Sequence, residues 1–206
     1  MSRRRQPTHT KEDCPVKIEH QRLANAFAYA AEIHAGQVRK GTDIAYISHL
    51  MSVSALVIEH GGDTDQAIAG LLHDSLEDCG PEHGPIILER FGDRVYRIVL
   101  ACTDGVPDAN GQKGDWHQRK QDYLTHLEMA DKDILLVSAA DKLHNARSIV
   151  SDLQAIGVEV FTRFKAGRED TLWYYDALAS LFAARLPGAL SNELVGATEA
   201  MHQLAG

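Results

Sequence analysis

The stretch LLHDSLEDCG, Leu71 to Gly80, sets the reading of everything around it. His73 and Asp74 are adjacent, and each is followed four residues later by a carboxylate, Glu77 and Asp78. Leu71, Leu72, Ser75 and Leu76 supply a largely apolar frame with no breaker before Gly80-Pro81, which predicts a helix. At ~100° per residue, His73 and Glu77 lie one turn apart, as do Asp74 and Asp78. The helix would present one imidazole and three carboxylates inside a run patterned for burial. Buried like charges repel and lose hydration, so they persist only with a cation or a proton. A divalent metal meets that need.

The wider chain is ordinary in composition. Its 206 residues suit one domain with a sizeable core, and 44% hydrophobic with 24% charged residues is typical of a globular protein. Twenty-one basic against 29 acidic residues give a formal charge of -8, which argues against a general DNA or RNA binder. A small anionic substrate in a local basic pocket stays compatible with it. Cys14, Cys79 and Cys102 form no CxxC pair, which fits a reducing cytoplasm. Arg3-Arg4-Arg5 has no apolar run behind it, and no segment approaches the ~18 apolar residues of a membrane span. Residues 1–15 read as a flexible tail.

From Lys17 on, the pattern is helical nearly throughout. Lys17 to Gln37 is amphipathic through Leu23, Phe27, Ala30, Ala31 and His34. Val38 to Ala45 is a loop, Tyr46 to His60 a helix stopped by Gly61-Gly62. Asp63 or Thr64 caps the next, expected to run unbroken through Ala67 to Cys79. Shorter helices cover Pro81–Phe91 and Asp93–Cys102, and Asp104 to Asp115 is a long polar gap. Trp116–Ala130 and Ile134–Val150 follow, then an irregular connector Gly157–Gly167, a helix Arg168–Leu186 and a peripheral one, Ala189–Leu204. No alternating strand of useful length and no repeat is visible. The prediction is an all-α fold.

Two more polar residues sit in apolar frames: His49 in AYISHLMSVSALV and Asp141 in DILLVSAADKLHNAR. Alone, His49 would pass for a hydrogen-bonded core histidine and Asp141 for the partner of Lys142 or Arg147. With His73 and Asp74, they make two imidazoles and two carboxylates on three helices. That is a suitable N/O set for a six-coordinate divalent ion, and helix bundles build such sites from facing side chains. The absence of thiolate argues against structural zinc.

His49, His73-Asp74 and Asp141 resemble the H…HD…D metal ligands of the HD phosphohydrolase superfamily. More narrowly, HAGQVRKGTDIAYISHL, LLHDSLEDCG and AADKLHNAR resemble the alarmone hydrolase domain of RelA/SpoT homologues, over about 23–149. The small stand-alone hydrolases, such as the metazoan SpoT homologue, are the nearest class. The resemblance implies a single HD-type domain over 16–206, with helices 168–204 packed on it and the metal between core helices. It implies Mn²⁺ held by His49, His73, Asp74 and Asp141, with Glu77 and Asp78 handling water and protons at the scissile phosphate. Arg39 and Lys40 would face the nucleotide, with Asn145 near the ribose and Arg147 in support. His34 would support the loop or simply pack, and His144 is a bystander.

The implied activity removes the 3′-diphosphate of (p)ppGpp as pyrophosphate, leaving GDP or GTP. Ala45 and Leu50 stand where the family pattern has proline, so the base preference is open and (p)ppApp is a second substrate candidate. Alternatives are an HD phosphohydrolase for 5′-nucleotides or cyclic phosphodiesters, and a non-catalytic nucleotide-binding module. Trp116, Arg119, Lys120 and Tyr123 form either the substrate mouth or a solvated basic edge. Trp173, Tyr174 and Tyr175 are read as packing, or as the contact of a homo-oligomer. A cytoplasmic, hydrolase-only chain is expected.

Overall fold

The computed structural model describes residues 18–105 and 114–206. The expected tail at 1–15, Cys14 and most of the polar gap therefore lie outside the described residues. Within them the chain is helical, in order α1 (His20–Ile33), α2 (Ile47–Glu59), α3 (Thr64–Leu72), α4 (His83–Phe91), α5 (Asp93–Cys102), α6 (Trp116–Met129), α7 (Lys132–Ile156), α8 (Gly167–Arg185) and α9 (Ala189–Ala205). A π-helical segment, Ser75–Cys79, follows α3, and a 3₁₀ segment, Gly157–Arg163, follows α7. No described helix is long and apolar enough to cross a membrane. The all-α expectation holds, with one isolated antiparallel bridge, Val38 to Ala45, inside the expected loop.

Local chemistry sets the boundaries. Asp63, not Thr64, caps α3: its carboxylate accepts the Gln66 N–H, and Gln66 Oε1 accepts the Asp63 N–H at 3.0 Å. Asp131 starts α7 by accepting the N–H groups of Asp133 and Ile134, and Asp115 caps α6. Arg94 on α5 ties these starts together, donating to Asp63 at 2.6 Å and to Asp133 at 2.7 Å.

α7 is the spine, packed against α2, α3, α5, α8 and α9. Leu50, Ile68, Leu72, Leu135 and Leu143 are fully buried around it, each contributing about 1.5–3 kcal/mol of hydrophobic stabilisation. α9 is not peripheral: Leu190, Leu194, Met201 and Ala205 are buried, and the helix lies along α7 and α8. At the α2–α3 crossing, a Cβ on Gly70 would stand 3.1 Å from Ser54 Cα and 3.2 Å from its N. Only glycine lets the two backbones approach so closely. The crossing is further fixed by Ser54 Oγ donating to the Ala67 carbonyl at 2.8 Å. This contact brings the C-terminal end of α3 against the first turn of α2.

The helix expected through Cys79 does not continue. α3 ends at Leu72, His73 and Asp74 form a turn, and Ser75–Cys79 winds as a π-helix closed by Gly80 at φ +120°. The Asp78 N–H still reaches the Asp74 carbonyl at 2.9 Å, so that pair keeps its one-turn relation. The single α-helical strip linking His73 to Glu77 is replaced by a wider winding, of the kind often found at functional sites.

Candidate metal centre and adjoining cavity

His49 leaves the first turn of α2, His73 and Asp74 the turn after α3, and Asp141 the middle of α7. His49 Nε2 lies 3.2 Å from Asp141 Oδ1 and 3.6 Å from Asp74 Oδ2; His73 Nε2 lies 3.0 Å from Asp74 Oδ2 and 3.5 Å from Asp141 Oδ1. All four expected ligands are thus brought together. Both imidazoles are buried, at 0% and 1% exposure, yet among the described residues neither Nε2 atom has a hydrogen-bond partner. Two orphaned nitrogens facing two carboxylates suit a cation: adjacent donors of an octahedral ion with ~2.1 Å bonds stand ~3 Å apart. His49, His73 and Asp141 offer donor atoms within 4.8 Å of one another. The residues present fit a divalent metal.

The electrostatics show how strongly this cluster asks for positive charge. Burial alone would raise Asp74 and Asp141, but His73 beside both, and Lys142 beside Asp141, hold them well below the usual carboxylate range. Burial would lower His73, and the same two carboxylates carry it well above its ordinary value instead. Without a metal, a proton on His73 serves as the counter-charge.

The cluster has a second layer of bonds. Tyr46 Oη donates to Asp74 Oδ2 at 2.6 Å, and burial with Asp74 and Asp78 nearby keeps that phenol protonated. Asn145 Nδ2 donates to Asp141 Oδ1 at 2.6 Å, Lys142 Nζ donates to Asp141 Oδ2 at 2.7 Å, and His144 Nδ1 lies 2.8 Å from His49 Nδ1. His144 is therefore no bystander. Burial, helped by His49 and Arg39, lowers its pKa to about 4, so it is neutral at pH 7. Tyr46, Lys142, His144 and Asn145 also line one cavity of about 690 Å³, so the cluster stands directly behind its wall.

Arg39 and Lys40 line the same cavity. Arg39 Nη2 donates to Asn145 Oδ1 at 2.7 Å, and its guanidinium carbon stands 5.8 Å from the Tyr46 ring centre. Lys40 lies 5.8 Å from the Phe164 ring centre, with a pKa lowered by burial and by Lys165. Arg147 lines the cavity while bonded to Glu193 of α9. Asp78 accepts from Gln37 Nε2 at 2.8 Å, and Gln37 Oε1 sits 2.6 Å from Nδ1 of buried His34. His34 thus supports the loop through Gln37, besides stacking on Tyr46 with ring centres 5.5 Å apart. Glu77 is half-buried and close enough to Lys120 to act on its charge.

Further residues enter the cavity, some from the α6 block read as substrate mouth or basic edge and some read as packing. Tyr174 and Tyr175 are buried in its wall rather than exposed for contact between copies. The α6 residues Trp116 and Lys120 line it too, whereas Tyr123 is buried and bonded to Ser138 at 2.8 Å. The edge formed by Arg119 and Lys120 is not solvated: both bond Asp104, whose carboxylate is 5% exposed. Burial would raise Asp104, but Lys120 and Lys142 hold it low. A histidine three residues beyond Asp141 on the same helix face was the available signal for His144. Tyr174 and Tyr175 gave none, because aromatic spacing alone does not separate a cavity wall from core.

The HD-domain family profile matches residues 26–172, and in chain order the cluster reads His, His-Asp, Asp. The chain belongs to the HD-domain family. Among the relatives of this HD domain are a GTP pyrophosphokinase of Streptomyces coelicolor, 36% identical over 130 residues, and a guanosine-3′,5′-bis(diphosphate) 3′-pyrophosphohydrolase of Aquifex aeolicus, 33% identical over 145. They match 62% and 68% of this chain but 14% and 20% of their own lengths, so the chain spans a fifth or less of either. Among solved structures, lmo0812 of Listeria monocytogenes superposes with a TM-score of 0.62 at 24% identity, covering 73% of this chain and 96% of that one. A metazoan orthologue of SpoT, described as hydrolysing ppGpp, gives 0.54 at 21%, covering 81% and 97%. These two likenesses carry the fold.

Proposed function

We propose that this HD domain, taken as residues 16–206, is a Mn²⁺-dependent pyrophosphohydrolase acting on (p)ppGpp-type alarmones in the cytoplasm. The observation that carries the reading is the shared wall: four cavity-lining side chains each bond a member of the metal cluster. A substrate in that cavity has its phosphates against the cluster. The cavity's ~690 Å³ lies within the ~300–1,000 Å³ usual for small-molecule sites. One relative named a guanosine-3′,5′-bis(diphosphate) 3′-pyrophosphohydrolase and another named a GTP pyrophosphokinase support the substrate class, and the His/Asp cluster supports hydrolysis.

In this reading His49, His73, Asp74 and Asp141 hold the ion, whose bound charge supplies Lewis acidity towards the scissile phosphate oxygens. Glu77 and Asp78 orient the attacking water and take its proton, with Gln37 steadying Asp78. Arg39, set by Asn145, packs against the base; Asn145 and Arg147 serve the ribose side. Lys40 and Lys120 offset phosphate charge. Water adds to the phosphorus next to the ribose 3′ oxygen and that P–O bond breaks, giving pyrophosphate and a 5′-phosphorylated nucleoside with a free 3′ hydroxyl.

The test is a Mn²⁺-supplemented assay with product separation over guanosine and adenosine 3′-diphosphates, triphosphates, 5′-monophosphates and cyclic nucleotides. Pyrophosphate from the 3′-diphosphates alone is expected, and the guanine-to-adenine ratio sets the base preference. Cleavage confined to 5′-phosphates or cyclic esters overturns the substrate assignment.

A further inference from the structure

The two histidines of the cluster are held differently. His73 Nδ1 lies 2.9 Å from the Gly70 carbonyl oxygen. A carbonyl only accepts, so His73 Nδ1 always carries a proton, and any change of charge on this ring takes place at Nε2, which faces the carboxylates. His49 Nδ1 instead meets another imidazole nitrogen, Nδ1 of His144, at 2.8 Å. Between these two atoms there is one proton, and either ring can own it. When His144 owns it, His49 Nδ1 is the acceptor and the ring's own proton sits on Nε2, which faces Asp141 Oδ1 3.2 Å away and offers nothing to a cation. When His49 owns it, its Nε2 is a lone pair and the proton of His144 sits on its own Nε2. That atom has no hydrogen-bond partner among the described residues, and the ring lines the cavity.

We propose that His144 is a positioning residue that sets the tautomer of His49 and thereby couples the metal cluster to the cavity. The inference rests on His49 being a metal ligand. With a cation on His49 Nε2, His144 shows the cavity an N–H; without one, it shows a lone pair. The exchange conserves protons: one passes from His144 Nδ1 to His49 Nδ1, one leaves His49 Nε2 for solvent, and one from solvent joins His144 Nε2. An acceptor in the cavity, such as a phosphate or sugar oxygen, therefore binds the metal-loaded form better and tightens the metal in return, since coupling is reciprocal. The arrangement differs from the usual carboxylate or carbonyl behind a ligating histidine, which fixes one tautomer permanently.

The deciding experiment is ¹⁵N NMR of the histidine rings in the full chain, metal-free and loaded with Zn²⁺ as a diamagnetic probe. The expected result is His144 protonated on Nδ1 without metal and on Nε2 with it. The same His144 tautomer in both states overturns the proposal. Metal affinity, read by competition with a chromophoric chelator, supplies a second arm. His144→Phe removes the acceptor and is expected to weaken the metal about 10- to 100-fold. His144→Asn, whose Oδ1 can accept from His49 Nδ1–H, is expected to restore affinity to within a few-fold. Parent affinity in His144→Phe overturns the proposal; should that variant not fold, the spectra of the parent chain decide. A parent chain that binds no metal removes the centre itself, a failure separate from parent-like variants.

Discussion

Replacing Asn145 by alanine cuts two bonds at once: the one it accepts from Arg39 at 2.7 Å and the one it donates to Asp141 at 2.6 Å. Hydrogen bonds to charged groups contribute about 1.5–3 kcal/mol each. The two ends are unequal, however. Asp141 is 6% exposed and, among the described residues, keeps the Lys142 bond at 2.7 Å, so most of one such bond is lost there. Arg39 is half-buried and turns to water, at a cost of about 0–1 kcal/mol. Asn145→Ala should therefore lower unfolding free energy by about 2–3 kcal/mol. On the proposed reading it also frees the Arg39 side chain, whose re-ordering on nucleotide binding would cost about 0.5–1.5 kcal/mol, or roughly 2- to 12-fold in affinity. Asn145→Asp keeps the acceptor for Arg39 but sets a second carboxylate against Asp141, so it should be less stable than the alanine variant without metal. Denaturant unfolding and nucleotide titration calorimetry read these effects. An alanine variant within about 0.5 kcal/mol of the parent, or an aspartate variant more stable than alanine, would refute the bonding scheme.

Glu77→Gln should keep the metal, by chelator competition, while losing most turnover; unchanged turnover removes Glu77 from the chemistry. Gly70→Ala gains about 1 kcal/mol of helix propensity but forces a methyl within 3.1 Å of backbone, an overpacking that costs about 1–3 kcal/mol. Thermal unfolding with and without Mn²⁺ should show a lower midpoint and a smaller metal-induced rise, because the shifted Gly70 carbonyl no longer orients His73; an equal rise would contradict that link. Asp63 gives a pH signature: burial raises its pKa, but bonds from Arg94 and the Gln66 N–H carry it below the ordinary value. A carboxylate depressed on folding contributes stability above its unfolded pKa of ~3.9, lost as pH falls through the folded value. Asp63→Asn should flatten that acid limb, and an unchanged slope would assign it to other groups.

The helices were legible because their apolar spacing is local: α2, α4, α5, α6 and α8 fall within a few residues of where periodicity puts them. His49, His73, Asp74 and Asp141 were legible as a set, since polar residues recur in apolar frames on separate helices and the fold brings them together. The π-helix at Ser75–Cys79 was not, since its residues pattern like an α-helix until the preceding turn redirects them. His144 met its partner across 95 positions and Lys120 its carboxylate across 16, and nothing in the local sequence reports such pairings. Asp104 looked like the edge of a polar gap because its burial depends on α6 folding over it. α9 was misjudged as peripheral because small residues, Ala, Gly, Ser and Thr, hide how closely it lies on α7.

Asp141, His144, Asn145 and Arg147 occupy fewer than two turns of one continuous 25-residue helix. At 1.5 Å per residue the span from the first to the last is about 9 Å along the axis, and no rotation of one element against another can change it. On the proposed reading α7 is a ruler. The gap between the ion and the groups that grip the ribose is set by helix pitch, while the wall bearing Arg39 and Lys40 comes from the loop between α1 and α2. Substrates would then be graded first by how far their scissile phosphorus lies from the sugar, and only afterwards by the base they carry.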